Sequence, residues 1–266
     1  MGKRILYINQ EITPFVPESE LSTIGTMALH NLQDAGFEIR TFMPKWGTIN
    51  ERRGQLHEVQ RLSGMNIIIN DTDHPLIIKV ASIPQTKIQV YFIDNEEYFI
   101  KAKSDDDVPT TSCGERAIFF ARGVIETMKK LRWSPDIIHC QGWMSAVVPL
   151  YIKTAYHDEP SFANTKVVTS FFNNSLKKDL GKNFKQSIEV REAKAELLTA
   201  YNDHFDFEEL GKMAIDYSDG IILADDDVNK MFAEYAKDRI PVLDYNPDFA
   251  DAYEAFFNQI CPESQE

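Results

Sequence analysis

Nucleophilic, acid–base and metal chemistry need His, Cys, Ser, Asp or Glu at spacings that bring two or more together, and few such spacings occur in this 266-residue chain. The histidines at 30, 57, 74, 139, 157 and 204 form no HxH or HxxxH pair, and Cys113, Cys140 and Cys261 match no zinc or CxxC pattern. Three scattered cysteines read as reduced, mostly buried thiols. His139 follows the apolar pair Ile137-Ile138 and so closes a strand, the place where α/β proteins hold ligands; a hydrogen-bonded core histidine is the commoner role there. Asp71-x-Asp73 after "NIII" offers two carboxylates that could converge on a hard cation, but Asp, Thr and His beside a proline also describe a surface turn. Ser145 and Ser170 lie near strand ends without a nucleophile-elbow sequence around them. The runs Asp105 to Asp107 and Asp225 to Asp227 suit a solvated loop and a helix cap. These residues alone imply no metal and no cofactor.

The turn after the first strand, "NQEITPFVPESEL", has no glycine before Gly25, and Glu18 and Glu20 stand where a helix begins. Helix-start amides attract anions, and two carboxylates there oppose one. The whole chain has the same bias: 28 basic against 41 acidic residues give a charge of −13, which argues against nucleic acid or an anionic membrane as partner. No apolar run approaches the roughly 20 residues of a membrane span. "MGKRILYIN" enters a strand pattern rather than a signal peptide, so a cytoplasmic location is expected.

The elements that would position these residues alternate. "KRILYIN" (3–9) and "FEIRTFM" (37–43) read as strands around a helix with Leu21, Ile24, Ala28 and Leu32 on one face and Gly36 as its left-handed stop. Apolar runs at 65–69, 76–83 and 88–93 read as a strand pair or hairpin inserted beside the sheet. A helix over about 113–132 leads to the strand "DIIHC", followed by strands at 165–170 and 219–224 and by two helices within 183–217. This order predicts an α/β fold, a doubly wound parallel sheet, with residues 1–245 as one Rossmann-like domain. Residues 246–266 follow as a helix and tail packing on it: Asn246 caps, Pro247 opens the first turn, and Phe249, Tyr253, Phe256, Phe257 and Ile260 share one face.

Four ordered segments resemble the N-terminal, acceptor-side domain of bacterial glycogen synthases and plant starch synthases, ADP-glucose-dependent glucosyltransferases with the two-domain GT-B fold. "ILYINQEITPF" is similar to the family's opening strand and Glu-x-x-Pro-Phe turn, "MPKWGTI" to its Met-Pro-x-Tyr-Gly segment, and "FIDNEEYF" to Phe-Ile-Asp-Asn-Pro-Glu-Tyr-Phe. "GERAIFF…SPDIIHCQGWMS" follows the family's Glu-Arg-Phe helix and His-x-His-Asp-Trp-His segment. Where the family's Lys-x-Gly-Gly-Leu loop lies against the donor diphosphate, this chain has Pro17-Glu18-Ser19-Glu20-Leu21. A carboxylate about 4 Å from a phosphate charge costs roughly 4 kcal/mol at an effective dielectric of 20, opposite in sign to what transfer requires. His-Asp-Trp-His is replaced by Gln141-Gly142-Trp143-Met144, and the family's His-Asn pair after the next strand by Phe171-Phe172-Asn173.

The resemblance implies a glycogen or starch synthase N-terminal domain of α-glucan metabolism with a degenerate active site: substituted donor-loop positions Pro17, Ser19 and Glu20, and no catalytic residue. What remains is a binding or regulatory role, with α-glucan or maltooligosaccharide over Gln141, Trp143 or Tyr98, since aromatic faces and neutral amides suit carbohydrate. The alternatives are a glucosyltransferase half completed by a separate donor-binding subunit, and an adaptor that binds another protein or itself as a homo-oligomer.

Overall fold

Ile5, Leu6, Tyr7 and Ile8 are all buried, as a strand covered on both faces requires, and the sheet grows outward from them. The computed structural model describes residues 2–100, 110–172, 176, 178–226, 228 and 230–262; Asp105 to Asp107, Asn173 and Asp227 lie outside them. In chain order the elements are β1 (Arg4–Asn9), α1 (Glu20–Asp34), β2 (Glu38–Pro44), β3 (His57–Glu58), β4 (Met65–Ile69), β5 (Thr72–Ser82), β6 (Gln89–Asp94) and α2 (Thr110–Leu131). Then come β7 (Ile137–Gln141), α3 (Val148–Lys153), β8 (Lys166–Phe171), α4 (Phe184–Ser187), α5 (Phe207–Asp216), β9 (Gly220–Leu223), α6 (Lys230–Ala236), β10 (Val242–Leu243) and α7 (Phe249–Ile260).

The sheet runs β10-β9-β8-β7-β1-β2-β6-β5-β3, parallel from β10 to β6, with β5 and β3 antiparallel at one edge. It is the doubly wound α/β sheet that the alternation implies. From β1 the chain moves one way to β2 and β6, then returns to build β7, β8, β9 and β10 on the other side, so the strand order reverses between β1 and β7. Right-handed crossovers put α1 on one face and α2, α3, α5 and α6 on the other. The packing agrees: α2 meets α3, α3 meets α5, α5 meets α6, and α1 meets α7.

Three sequence expectations change. β6 belongs to the main sheet, pairing in parallel with β2 on one side and antiparallel with β5 on the other, and β4 adds a further hairpin on β5. Its turn, Asn70-Asp71, holds φ values of +48° and +60°, the left-handed pair of a two-residue hairpin. The first of the two helices expected over 183–217 is only the short α4 and a 3-10 turn at Ala195–Leu198. Ile188, Ala193 and Leu198 are buried there by a chain that doubles back through the Val190–Ala193 bridge. Finally, Pro247 is not helical: α7 starts at Phe249, and Asn246 accepts from the Asp248 amide.

α7 buries Tyr253, Phe256, Phe257 and Ile260 with Phe249 half-buried beside them. A side chain on Gly220 would lie 2.7 Å from Ile260 Cδ1, so the helix descends onto β9 where no Cβ intervenes. Lys3 donates to Asn258 and ties α7 to the start of β1. Phe257 is fully buried. Phe257→Ala is therefore expected to cost about 3–5 kcal/mol. Urea unfolding reads this directly, and an unchanged midpoint would mean that α7 contributes no packing.

Candidate functional site at the β1–β7 crevice

In a doubly wound sheet the ligand crevice opens beyond the strand ends where the order reverses. Here that point lies between Asn9-Gln10 at the end of β1 and Gln141-Gly142 at the end of β7, with the first turns of α1 beside it. Asn9, Gln10 and Gln141 are at most 2% exposed. Gln141 accepts from the Tyr7 hydroxyl and donates from Nε2 to the Leu21 carbonyl at 2.9 Å, which bridges β1, β7 and α1. Gln10 Oε1 accepts from the Met144 amide at 3.3 Å, while its carbonyl accepts from Trp46 Nε1 at 2.8 Å.

Two glycines make this closure possible. A Cβ on Gly25 would sit 2.2 Å from Asn9 Nδ2 and 2.9 Å from Gln141 Nε2, and one on Gly142, at φ +87°, would sit 2.6 Å from Gln10 Oε1. The crevice is therefore filled by carboxamides of the chain itself. These groups are neutral and neither take up nor release a proton near neutral pH.

The expected site residues are placed as follows. Trp143 is 3% exposed and opens a 3-10 turn, Trp143–Val147, that packs against α2 and α5. Tyr98 is 1% exposed; its hydroxyl meets His74 Nε2 at 3.1 Å and donates to Glu115 at 3.3 Å. Gln141 lies in the crevice. The three are separate, and none presents a face to solvent. Pro17, Ser19 and Glu20 are exposed, and Ser19 is the N-cap of α1, exchanging hydrogen bonds with Ser22 in a capping box. Residues 13–18, 48–50, 53–55 and 82–86 border an open cleft of about 920 Å³, where Glu18 and Arg53 are the charged lining residues. Asp71 and Asp73 are exposed on the hairpin turn, and among the described residues no three His, Cys, Asp or Glu side chains converge as a metal site would require.

His139 is completely buried, hydrogen-bonded to Ser170, and met edge-on by Tyr7, Tyr253 and Phe257 at centroid distances of 4.5, 5.8 and 5.2 Å. Burial pushes its pKa down to about 3. It is a neutral core histidine joining the sheet to α7.

Sequence reasoning missed a charged cluster where the loop after β2 meets β5 and β6. Lys79 pairs with Asp94 at 2.8 Å and with Glu51 at 2.6 Å, and the buried Lys45 reaches Glu51 at 3.1 Å. The hydrogen bond from Lys79 holds the Glu51 carboxyl below its usual range against the opposing effect of burial. Asn95 Oδ1 caps the following π turn through the Glu97 and Tyr98 amides, and its Nδ2 donates to the Pro75 carbonyl. A lysine at position 79 inside the alternating β5 pattern was the available signal.

A family model for the starch synthase catalytic domain matches residues 4–236. The chain belongs to that family. This synthase-family chain is 40% identical over 174 residues to the glycogen synthase of Chlorobium luteolum, a match covering 64% of it and 36% of that protein. The glycogen synthase of Chlorobium chlorochromatii is 39% identical over 176 residues, 65% of this chain and 36% of the relative. It thus spans just over a third of the length of these curated relatives. The catalytic domain of starch synthase IV from Arabidopsis thaliana, solved with ADP and acarbose, superposes with a TM-score of 0.72 over 91% of this chain and 52% of that one. At 15% identity this likeness establishes the shared fold. Among the described residues, no helix is long and apolar enough to cross a membrane.

Two outcomes follow from the burial of Trp143 and His139. Trp143→Ala should lower folding stability by about 3–5 kcal/mol in denaturant melts; a loss below 1 kcal/mol would contradict its packing role. His139 stays neutral in the folded state down to about pH 3, whereas in the unfolded chain it protonates near its ordinary value of 6.5. Between these values the unfolded state binds the extra proton, so stability should fall as pH drops from about 6.5 towards 3. The imidazole NMR signals of His139 in the folded protein should not move between pH 5 and 8.

Proposed function

We propose that this chain is an α-glucan-binding domain of the starch synthase family that does not transfer glucose from ADP-glucose by itself. One observation carries the reading: the crevice at the strand reversal is occupied by Gln10 and Gln141. The exposed Glu18 and Glu20 at the start of α1 add to it, since they stand where the family resemblance puts a diphosphate. A bound diphosphate would have to displace the hydrogen-bonded Gln141 amide and approach two carboxylates, and both steps are unfavourable. A neutral glucan meets no such charge opposition. The relatives are glycogen synthases, and starch synthase IV was solved with acarbose as well as ADP.

The direct assay is incorporation of radiolabel from ADP-glucose into glycogen. The purified chain should give none above a protein-free blank, and Pro17→Lys combined with Ser19→Gly and Glu20→Gly should not restore it, because Gln141 still fills the crevice. Transfer by the unmodified chain would overturn the proposal. In thermal-shift titrations maltopentaose should raise the melting temperature with concentration, and ADP should not.

A further inference from the structure

The Tyr98 hydroxyl is one link in a hydrogen-bonded chain that ends in a second cleft. Glu97 at the surface meets His74 Nδ1 at 3.3 Å, His74 Nε2 meets the Tyr98 hydroxyl, and Tyr98 donates to Glu115 Oε2. Glu115 Oε1 accepts from Asn70 Nδ2 at 2.7 Å, and the same amide reaches Ser187 Oγ at 2.8 Å. His74, Tyr98 and Ser187 are at most 5% exposed. Glu115 is half-buried and lines a cleft of about 460 Å³ with Asp179, Gly181, Lys182, Asn183 and Ser187, over Leu180 and Phe184.

Segments far apart in sequence build this cleft, and each is fixed there. Asn70 is the left-handed tip of the β4–β5 hairpin. Glu115 belongs to α2, and the 179–187 segment is seated on α2 by the Gly114 amide, which donates to the Leu180 carbonyl at 3.0 Å. A Cβ on Gly114 would lie 2.3 Å from that carbonyl oxygen, so the close approach depends on glycine. The Glu115 carboxylate is thereby held before any ligand arrives. Asn70 Nδ2 donates to one of its oxygens and the Tyr98 hydroxyl to the other, and an ionised carboxylate offers about four acceptor sites in all, so capacity remains for a ligand.

We infer that this cleft, centred on Glu115, receives hydroxyl groups of the glucan. The inference rests on the glucan-binding reading above and gives it a location. The chemistry selects the ligand class. Glu115 opposes an anion and Lys182 opposes a cation, while the other lining acid, Asp179, is already engaged by His204 at 3.1 Å and by the Gly181 amide at 2.8 Å. Sugar hydroxyls donate to Glu115 and accept from the exposed Lys182 and Asn183 side chains, with the apolar floor at Leu180 and Phe184 beneath the C–H faces. The volume falls within the roughly 300–1,000 Å³ of small-molecule sites. Tyr98 acts as a positioning residue for Glu115, and its ring does not touch the ligand.

Calorimetric titration of maltopentaose into the full chain tests this, with Glu115→Gln, Asn183→Ala and, at the other cleft, Arg53→Ala. Glu115→Gln keeps the shape and removes the charge of the acceptor, so Kd should rise roughly tenfold with little change in melting temperature. Asn183→Ala should weaken binding in the same direction, Arg53→Ala should leave it unchanged, and the backbone amides of Gly181 and Ser187 should shift in NMR spectra. Wild-type binding that survives both Glu115→Gln and Asn183→Ala, or that is lost with Arg53→Ala alone, overturns this site while leaving the glucan reading intact. If the wild-type chain gives no heat or shift with maltopentaose, the glucan reading itself fails.

Discussion

The Gln141 side chain spans from the Tyr7 hydroxyl on β1 to the Leu21 carbonyl on α1, and the rest of the crevice is arranged around that bridge. It forms only because α1 offers no Cβ at Gly25, where even a methyl group would collide with Asn9 and Gln141. A buried carboxamide is costly unless its polar atoms are paired. Here both ends are paired, and the helix, the central strand and its neighbour are fastened at the point where α/β sheets are otherwise open.

The segments that most resemble synthases serve this frame. Trp46 donates to the Gln10 carbonyl, Lys45 and Lys79 converge on Glu51 and Asp94, and Asn95 shapes the turn carrying Tyr98. These contacts hold the loops beyond β2 and β6 against β5 and against the end of β1. Family likeness in those segments is thus a likeness of scaffold, and it leaves open which chemistry the strand ends support. Chemistry is decided by the side chains in the crevice and in the clefts beside it.

Much of the frame was legible in the chain. The apolar runs of β1, β7, β8 and β9 are short and continuous because parallel strands are covered on both faces, and Gly36 stops α1 with φ +92°. The spacing of Phe249, Tyr253, Phe256, Phe257 and Ile260 identified a helix that needs a surface to cover. Pairing was less legible. Nothing local separates β6 from the β4–β5 hairpin, because partner choice is a tertiary property. The apolar residues of 183–204 gave helical spacing by coincidence, while a two-residue bridge and scattered hydrogen bonds set their course. At the crevice, the residue types at 141 to 144 were visible, but the closure was not: Gln141 finds its acceptor 120 positions away. Glu115 was passed over because its partners, Asn70 and Tyr98, belong to other elements.

The central claim is that the crevice between β1 and β7 is closed by the chain's own amides and bordered by carboxylates, so that it takes no nucleoside diphosphate. Titration of ADP against the backbone NMR signals of Gly25, Gly142 and Ser19 tests it most directly, because these amides line the crevice and the start of α1. The account predicts no saturable shift at these positions up to millimolar ADP. A saturating shift centred on Gly25 and Gly142 would show that Gln141 yields to the nucleotide, and would contradict it.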